Sequence, residues 1–208
     1  YLNLPSQPDD FFENGLPKDA AVLGVIKNNL RENFMPYIML NIMALINEKF
    51  DKKEVISKHW SKWINVKYGR LALNNLYLLP FGCFTGFRNF HSVVSYHKKT
   101  FEEVWEVYPD ELRQTCQHKF RNKADVNQYL FRYWQLVSGR FSVMKPSSDY
   151  FTIGRQEIDS IQTAIIKPTK RVICINDDPG HFDMELQQKW IDEAFQQRYP
   201  NPSSFEIR

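Results

Sequence analysis

A chain of 208 residues with 43% apolar side chains can bury a real core, as one globular domain or one plus a small appendage, and it is not composed like a disordered segment. Its 27 basic and 24 acidic residues nearly cancel, so the overall balance gives no argument for a nucleic-acid partner. Cys83, Cys116 and Cys174 form no CxxC pair, which argues against a disulfide framework or a cysteine zinc site and fits a reducing cytosol. The most apolar segment, Phe34 to Ile46, is interrupted by Pro36 and Asn41 and falls short of the roughly 20 residues that a membrane span needs.

Tyr1 opens directly into LNLPSQPDDFFENGLPKD, which reads as an interior loop, so the expectation is that the numbering starts mid-protein. Residues 1–18 carry Pro5, Pro8, Gly15 and Pro17 and read as a connector anchored by Phe11 and Phe12. Ala20 to Ile26 is a short, partly β-branched apolar run and predicts a strand. From Asn33 to Phe50, Phe34, Ile38, Ile42, Leu45 and Ile46 recur at helical spacing, with Pro36 in the first turn where its missing N–H costs little. The same periodicity predicts a second helix from Lys52 to Gly69 and a third from Ala72 to Leu79, ended by Pro80. Phe81 to His91 mixes glycine with phenylalanine and reads as a packed loop. Further helices are expected at Thr100 to Val107, Asp110 to His118 and Ala124 to Val137. Strands at Asp149 to Ile153 and Arg171 to Ile175 flank a helix near Gln156 to Ile166, and Met184 to Gln197 is a final amphipathic helix. Helices separating a few strands predict a helix-rich α/β fold with a mixed or parallel sheet. Ligands in such folds collect beyond the C-terminal ends of strands, which is where Asn176 and Asp177 stand.

Three constellations carry candidate chemistry. Asn176, Asp177, Asp178, His181, Asp183 and Glu185 follow the RVICI strand, and hard oxygens at such an edge suit Mg²⁺ bridging a phosphate; the bland alternative is a turn whose Asp and Asn bond their own backbone. His91 sits near Arg88, His97, Lys98 and Lys99, a density of groups able to move a proton or bind a phosphate, although a lone His is more often packed or on the surface. HKFRNKADVNQYLFRYW (His118 to Trp134) places Arg121 and Asp125 four apart at a predicted helix start, with Arg132 two to three turns later. There Arg121 can clamp a pyrophosphate, or the two can form a simple capping pair. Tyr129, Phe131, Tyr133 and Trp134 read as core rather than as a sugar platform. The chain has no GxSxG, no P-loop and no GxGxxG, which removes several common enzyme classes.

The run KKTFEEVWEVYPDELRQTCQHKFRNKADVNQYLFRYWQLVSGRF (Lys98 to Phe141), followed by RVICINDD (Arg171 to Asp178) and FQQRYPNPSSFE (Phe195 to Glu206), resembles the third and fourth conserved regions of the Stealth family. LPSQPDDFFENGLP (Leu4 to Pro17) is similar to the tail of its second region. The resemblance implies that residues 1–18 connect to an upstream region. It also implies that 19–208 form the C-terminal part of a larger glycosyltransferase-like catalytic core, with a helical insertion at about 33–80.

Stealth proteins include bacterial capsule polymerases and an animal GlcNAc-1-phosphotransferase. The implied reaction transfers hexose-1-phosphate, with N-acetylhexosamine-1-phosphate favoured, from a UDP-sugar donor to the hydroxyl of an oligosaccharide or sugar-phosphate acceptor, releasing UMP. Carried over by motif, the reactive His falls on His91, the Arg of the FR pair on Arg121, the acid of FRNKAD on Asp125, and the metal ligands for Mg²⁺ or Mn²⁺ on Asp177 and Asn176. Arg31, Asn41, Arg88 and Lys98 are the expected substrate-binding residues. Where the family has a proline two residues after the His, this chain has Val93. The resemblance further implies a cytoplasmic enzyme, compatible with peripheral association at the inner membrane or with capsule export, and with homo-oligomerisation. The competing readings are a glycosyltransferase that moves the sugar alone and a non-catalytic carbohydrate-binding or scaffold domain.

Overall fold

The computed structural model describes residues 2–3, 11–26, 34–90, 92–154, 158–170, 172–176 and 183–201. The chain divides into two compact units, one made of residues 7–89 and 94–146 and the other of residues 1–6, 90–93 and 147–208. Their described elements are helices and short strands in mixed sheets, an α/β fold as the sequence predicts.

In the smaller unit β5 (Ser148–Thr152), α8 (Ile158–Ile166) and β6 (Val172–Asn176) make a strand–helix–strand unit. β5 and β6 lie parallel, in register from Ser148↔Val172 to Thr152↔Asn176. β1 (Leu2–Asn3) pairs antiparallel with the other edge of β6. α9 (Met184–Arg198) starts where the Asp183 carboxylate accepts the Leu186 N–H, and Ile191 and Ala194 pack with Ile161 and Ile165 of α8. Arg198 closes this pair by donating to the last carbonyls of α8, those of Ile165 and Ile166.

The larger unit opens with a hairpin of β2 (Phe12–Glu13) and β3 (Leu16–Asp19), turned by Asn14 and Gly15 at φ 52° and 73°. An Asn–Gly pair is the residue choice for a turn with two positive φ angles, so this connector-like stretch carries its own strand signal. β3 runs on in parallel with β4 (Ser142–Val143).

α1 (Met35–Lys49) has Pro36 in its first turn and buries Ile38, Met39, Ile42, Met43 and Ile46; of the predicted stripe Ile38, Ile42 and Ile46 are buried, Leu45 is half-buried and Phe34 is exposed. The single helix expected from Lys52 to Gly69 is instead α2 (Lys52–Lys58), α3 (Trp60–Trp63) and a 3₁₀ segment (Val66–Leu71) leading into α4 (Ala72–Leu78). The break falls at His59, at φ −120° and ψ 31°, and lets Trp63 bury completely against Phe84 and Phe87. α5 (Lys98–Val107) and α6 (Pro109–Gln117) follow, α5 starting two residues earlier than expected because the His97 ring accepts the Lys99 N–H.

At the centre of this unit lies α7 (Tyr129–Val137), with every residue from Leu130 to Val137 buried. A helix buried on all sides must find a partner for each polar group it carries. Arg132 places all five guanidinium N–H groups. Nε and Nη2 donate to the two oxygens of Asp19 at 2.8 Å each, Nη2 also to Ala20 O, and Nη1 to Asn89 Oδ1 and Arg88 O. Burial alone would weaken this cation; the Asp19 carboxylate outweighs it and holds the guanidinium above its ordinary pKa. Tyr133 donates to Asn89, Trp134 to Glu103, and Gln135 spans Ser95 O and His97 N.

Two expectations fail here for one reason, the capture of main-chain groups by side chains. The strand expected from Ala20 to Ile26 has only a single bridge, Leu23 to Phe87. Its backbone is bonded instead by Asn75, which accepts from Leu23 N and donates to Ala21 O, and by the Tyr68 hydroxyl at Ala21 N. The helix expected from Ala124 begins only at Tyr129, because Asn122, Asp125 and Asn127 take nearby N–H groups into turns.

Asn75 is fully buried and also donates to Trp63 O, so Asn75→Leu strands three main-chain groups. The expected loss is about 3 kcal/mol, read as a lower midpoint in urea unfolding with the slope unchanged.

Candidate functional site

Between the end of α6 and the start of α7 the chain makes a loop of turns, residues 118–128, beside the first turns of α1. The loop is internally tied. Asp125, 4% exposed, faces His118 Nδ1 across 2.5 Å with one oxygen and accepts the Asn122 N–H at 2.6 Å with the other. With a carboxylate opposite, Nδ1 is the protonated nitrogen of that ring. From α1, Asn41 donates to both Lys123 O and Asp125 O, and the Lys123 ammonium lies 4.7 Å from the Tyr37 ring centre. Thr115 of α6 accepts the Val126 N–H. The loop is thus held from α1 and α6 as well as from within.

These contacts shape a cavity of about 480 Å³, lined among others by Met35, Ile38, His118, Lys119, Arg121, Asp125 and Tyr129. Its volume lies within the range of small-ligand sites. Its charge is one-sided. Lys119 and Arg121 line it, while Asp125 has both oxygens engaged inside the loop. A recess with two cations and a spent carboxylate is suited to an anion, and a guanidinium adds the fork that matches phosphate oxygens. Phe120, 78% exposed, stands at this rim with the Lys119 ammonium 5.6 Å from its ring centre.

The sequence-predicted residues divide as follows. Arg121 and Asp125 share this cavity, and Asn41 meets the same loop through main-chain carbonyls, so its amide shapes the site. Arg88 is exposed, its main chain held by Val22 O and the Arg132 guanidinium. Lys98 opens α5 and pairs with Glu102 on the surface at 3.5 Å, with both side chains mostly in solvent. Neither lines the cavity. Asn176 ends β6 at the C-terminal edge of the parallel pair, its carbonyl accepting the Ile153 N–H. His91, Arg31 and Asp177 lie outside the described residues. Among the described residues no three His, Cys, Asp or Glu side chains gather as a metal cluster.

The sequence alone does not single out Lys119 or His118 for this cavity. His118 ends a predicted helix, and its partner Asp125 lies seven residues on across a loop with no period. Asp19 and Arg132 stand 113 residues apart, a pairing no local signal announces.

Comparison with known proteins gives this geometry its context. Residues 91–135 match Stealth protein CR3, conserved region 3, a stretch containing the whole 118–128 loop and most of α7. The chain is 38% identical over 207 residues to a capsular polysaccharide phosphotransferase, WcwK, of Streptococcus pneumoniae, covering 99% of this chain and 61% of that protein. The chain carries the third conserved region of the Stealth family. It is also 34% identical to the exopolysaccharide phosphotransferase cps2G of Lactiplantibacillus plantarum, over 99% of this chain and 60% of that protein. To the receptor polysaccharide phosphotransferase WefC of Streptococcus gordonii it is 32% identical, over 100% of this chain and 62% of that protein. The chain therefore spans about three fifths of the length of these curated relatives.

If the His118–Asp125 contact holds the loop, His118→Ala leaves one oxygen of a buried carboxylate unpaired and costs about 1–3 kcal/mol in chemical unfolding. His118→Asn keeps an N–H donor on a short side chain and should recover most of that loss. Equal losses in both variants would contradict the role given to Nδ1.

Proposed function

We propose that this chain is part of a Stealth-family phosphotransferase of polysaccharide synthesis that moves hexose-1-phosphate from a UDP-sugar to a saccharide hydroxyl. The observation that carries the reading is the cavity of the 118–128 loop, where Lys119 and Arg121 face a space whose one carboxylate is already bonded. The similar proteins WcwK, cps2G and WefC are polysaccharide phosphotransferases, which supports the same class.

In the proposed step the acceptor hydroxyl oxygen attacks the phosphorus that bears the sugar. The bond from that phosphorus to the bridging oxygen breaks, UMP leaves with the electron pair, and the hydroxyl proton passes to His91. The product is a phosphodiester between the two sugars. Phosphoryl transfer leaves the protein mainly the tasks of positioning and of neutralising charge. Arg121 engages the diphosphate in the ground state and carries the charge that grows on the departing UMP. Asp125 and Asn41 act one step removed, by fixing the loop that presents Arg121.

Asn176 and Asp177 are the residues we propose for a divalent cation: Asn176 ends β6 with an exposed side chain, and Asp177 follows it in sequence. Mg²⁺ or Mn²⁺ held by these two would supply positive charge to the phosphates. We place the complete enzyme in the cytoplasm, where UDP-sugars are made.

The test is to incubate the complete protein with UDP-sugars, Mg²⁺ and an oligosaccharide acceptor. The expected products are UMP and a phosphodiester signal in ³¹P NMR. UDP in place of UMP would mean that the sugar moves alone. Arg121→Ala should lower both donor affinity and turnover, by roughly 10²-fold or more in kcat/KM. An Arg121→Ala enzyme with unchanged donor binding would remove the cavity from the reaction.

A further inference from the structure

The overall charge of the chain conceals a strongly uneven distribution. Residues 51–82 hold Lys52, Lys53, Lys58, Lys62, Lys67 and Arg70 against only Asp51 and Glu54, while the whole chain is +3. Three of these cations bond main-chain carbonyls: Lys52, 3% exposed, donates to Leu78 O and Phe81 O, Lys62 donates to Gly139 O and Phe141 O, and Lys67 donates to Val143 O. Lys53, Lys58, Lys67 and Arg70 are exposed. Asp51 caps α2 by accepting the Glu54 N–H, and both acids are exposed.

The same segment exposes large apolar side chains to an unusual degree. Leu73, Leu76 and Tyr77 are 63%, 45% and 78% exposed, and their i, i+3, i+4 spacing puts them on one face of α4. That face is left unburied while Asn75 and Leu78 on the same helix turn inward. Val66 is 93% exposed in the 3₁₀ segment that precedes it. Through the turn at the end of α4 the chain reaches Phe81, which shares an open hollow of about 430 Å³ with Trp60 and Lys53. Trp60 and Phe81 are each 50% exposed.

Leucine, tryptophan and tyrosine left in solvent among lysines and an arginine have a specific physical meaning. The apolar side chains gain by entering the boundary between headgroups and acyl chains. Tyr and Trp suit that boundary because each joins an apolar ring to a polar tip. The cations gain from an anionic headgroup layer, and their long stems let the charge stay in the polar zone. No described helix is long and apolar enough to cross a membrane, so such a segment would lie on the surface of a bilayer and would not span it.

We infer that residues 51–82 form a docking surface for an anionic lipid bilayer, with Trp60, Leu73, Leu76, Tyr77 and Phe81 entering the interface and Lys53, Lys58 and Arg70 facing the headgroups. Charge complementarity selects this occupant: these exposed cations belong to the same segment as the exposed apolar side chains, and Lys53 lines one hollow with Trp60 and Phe81. The inference stands independently of the phosphotransfer reading, since it draws on no residue of the Arg121 cavity.

The complete protein is sedimented with vesicles of phosphatidylcholine containing phosphatidylglycerol and with vesicles of phosphatidylcholine alone. Binding is expected to the first, to weaken as salt is raised, and to be slight to the second. Trp60→Ser and Tyr77→Ser should each weaken it about tenfold, and Lys53→Gln and Lys58→Gln about fivefold each. All four side chains are exposed, so melting temperatures should not change, and Arg121→Ala should bind vesicles like the unaltered protein. Absence of binding to the anionic vesicles overturns the inference, as does binding that ignores lipid charge or these substitutions. A result in which the variants dissociate an oligomer but leave vesicle binding intact also overturns it and assigns the surface to a second copy of the chain.

Discussion

Everything in the larger unit is arranged around one buried cation. The Arg132 guanidinium sits inside a helix with no solvent face, and it can be there only because five acceptors surround it. A buried ion pair gains little net stability over an apolar isostere, since desolvation consumes most of the attraction. What it determines is place. The end of β3, the Ala20 carbonyl and the Arg88–Asn89 turn must all arrive at the same guanidinium, and Tyr133 adds a second hold on Asn89. Removing either partner would leave a charge in the core with nothing to offset it, so the two ends of this unit's sequence are committed to meeting.

The 118–128 loop follows from the same logic on a smaller scale. Helix propensity alone would continue the chain from Ala124 into α7, but Asx side chains offer the backbone a competing set of bonds and win locally. The cost is a helix shorter by about a turn. The gain is an irregular strip, braced from α1 by Asn41 and from α6 by Thr115, that can present Arg121 at a cavity rather than along a helix flank. Functional cations are often found on such loops because regular elements place side chains only at fixed spacings.

What the sequence makes legible divides along the same line. The amphipathic stripe of α1, the strand–helix–strand of the smaller unit and the parallel pairing of β5 with β6 all rest on periodicity and could be read directly. Arg121 and Asp125, singled out by residue type and family resemblance, line one cavity, but Asp125 bonds His118 and the Asn122 N–H, partners that its spacing from Arg121 does not announce. The rest depended on partners distant in sequence. The extended segment at Ala20 fails to become a strand because Asn75 and Tyr68 take its main-chain groups, and nothing near Ala20 announces them. The break at His59 belongs to the same class: the helical pattern runs on through Trp63, but burying that indole against two phenylalanines requires a change of direction. The basic surface at 51–82 was hidden for another reason, because its charge is cancelled in a whole-chain sum.

The central claim is that Arg121 meets the diphosphate of the donor. An experimental structure of the complete protein with a UDP-sugar bound tests it directly. The account predicts a phosphate oxygen about 2.7–2.9 Å from the Arg121 guanidinium, within the cavity bounded by the 118–128 loop. A diphosphate bound elsewhere, with Arg121 in solvent, would contradict it.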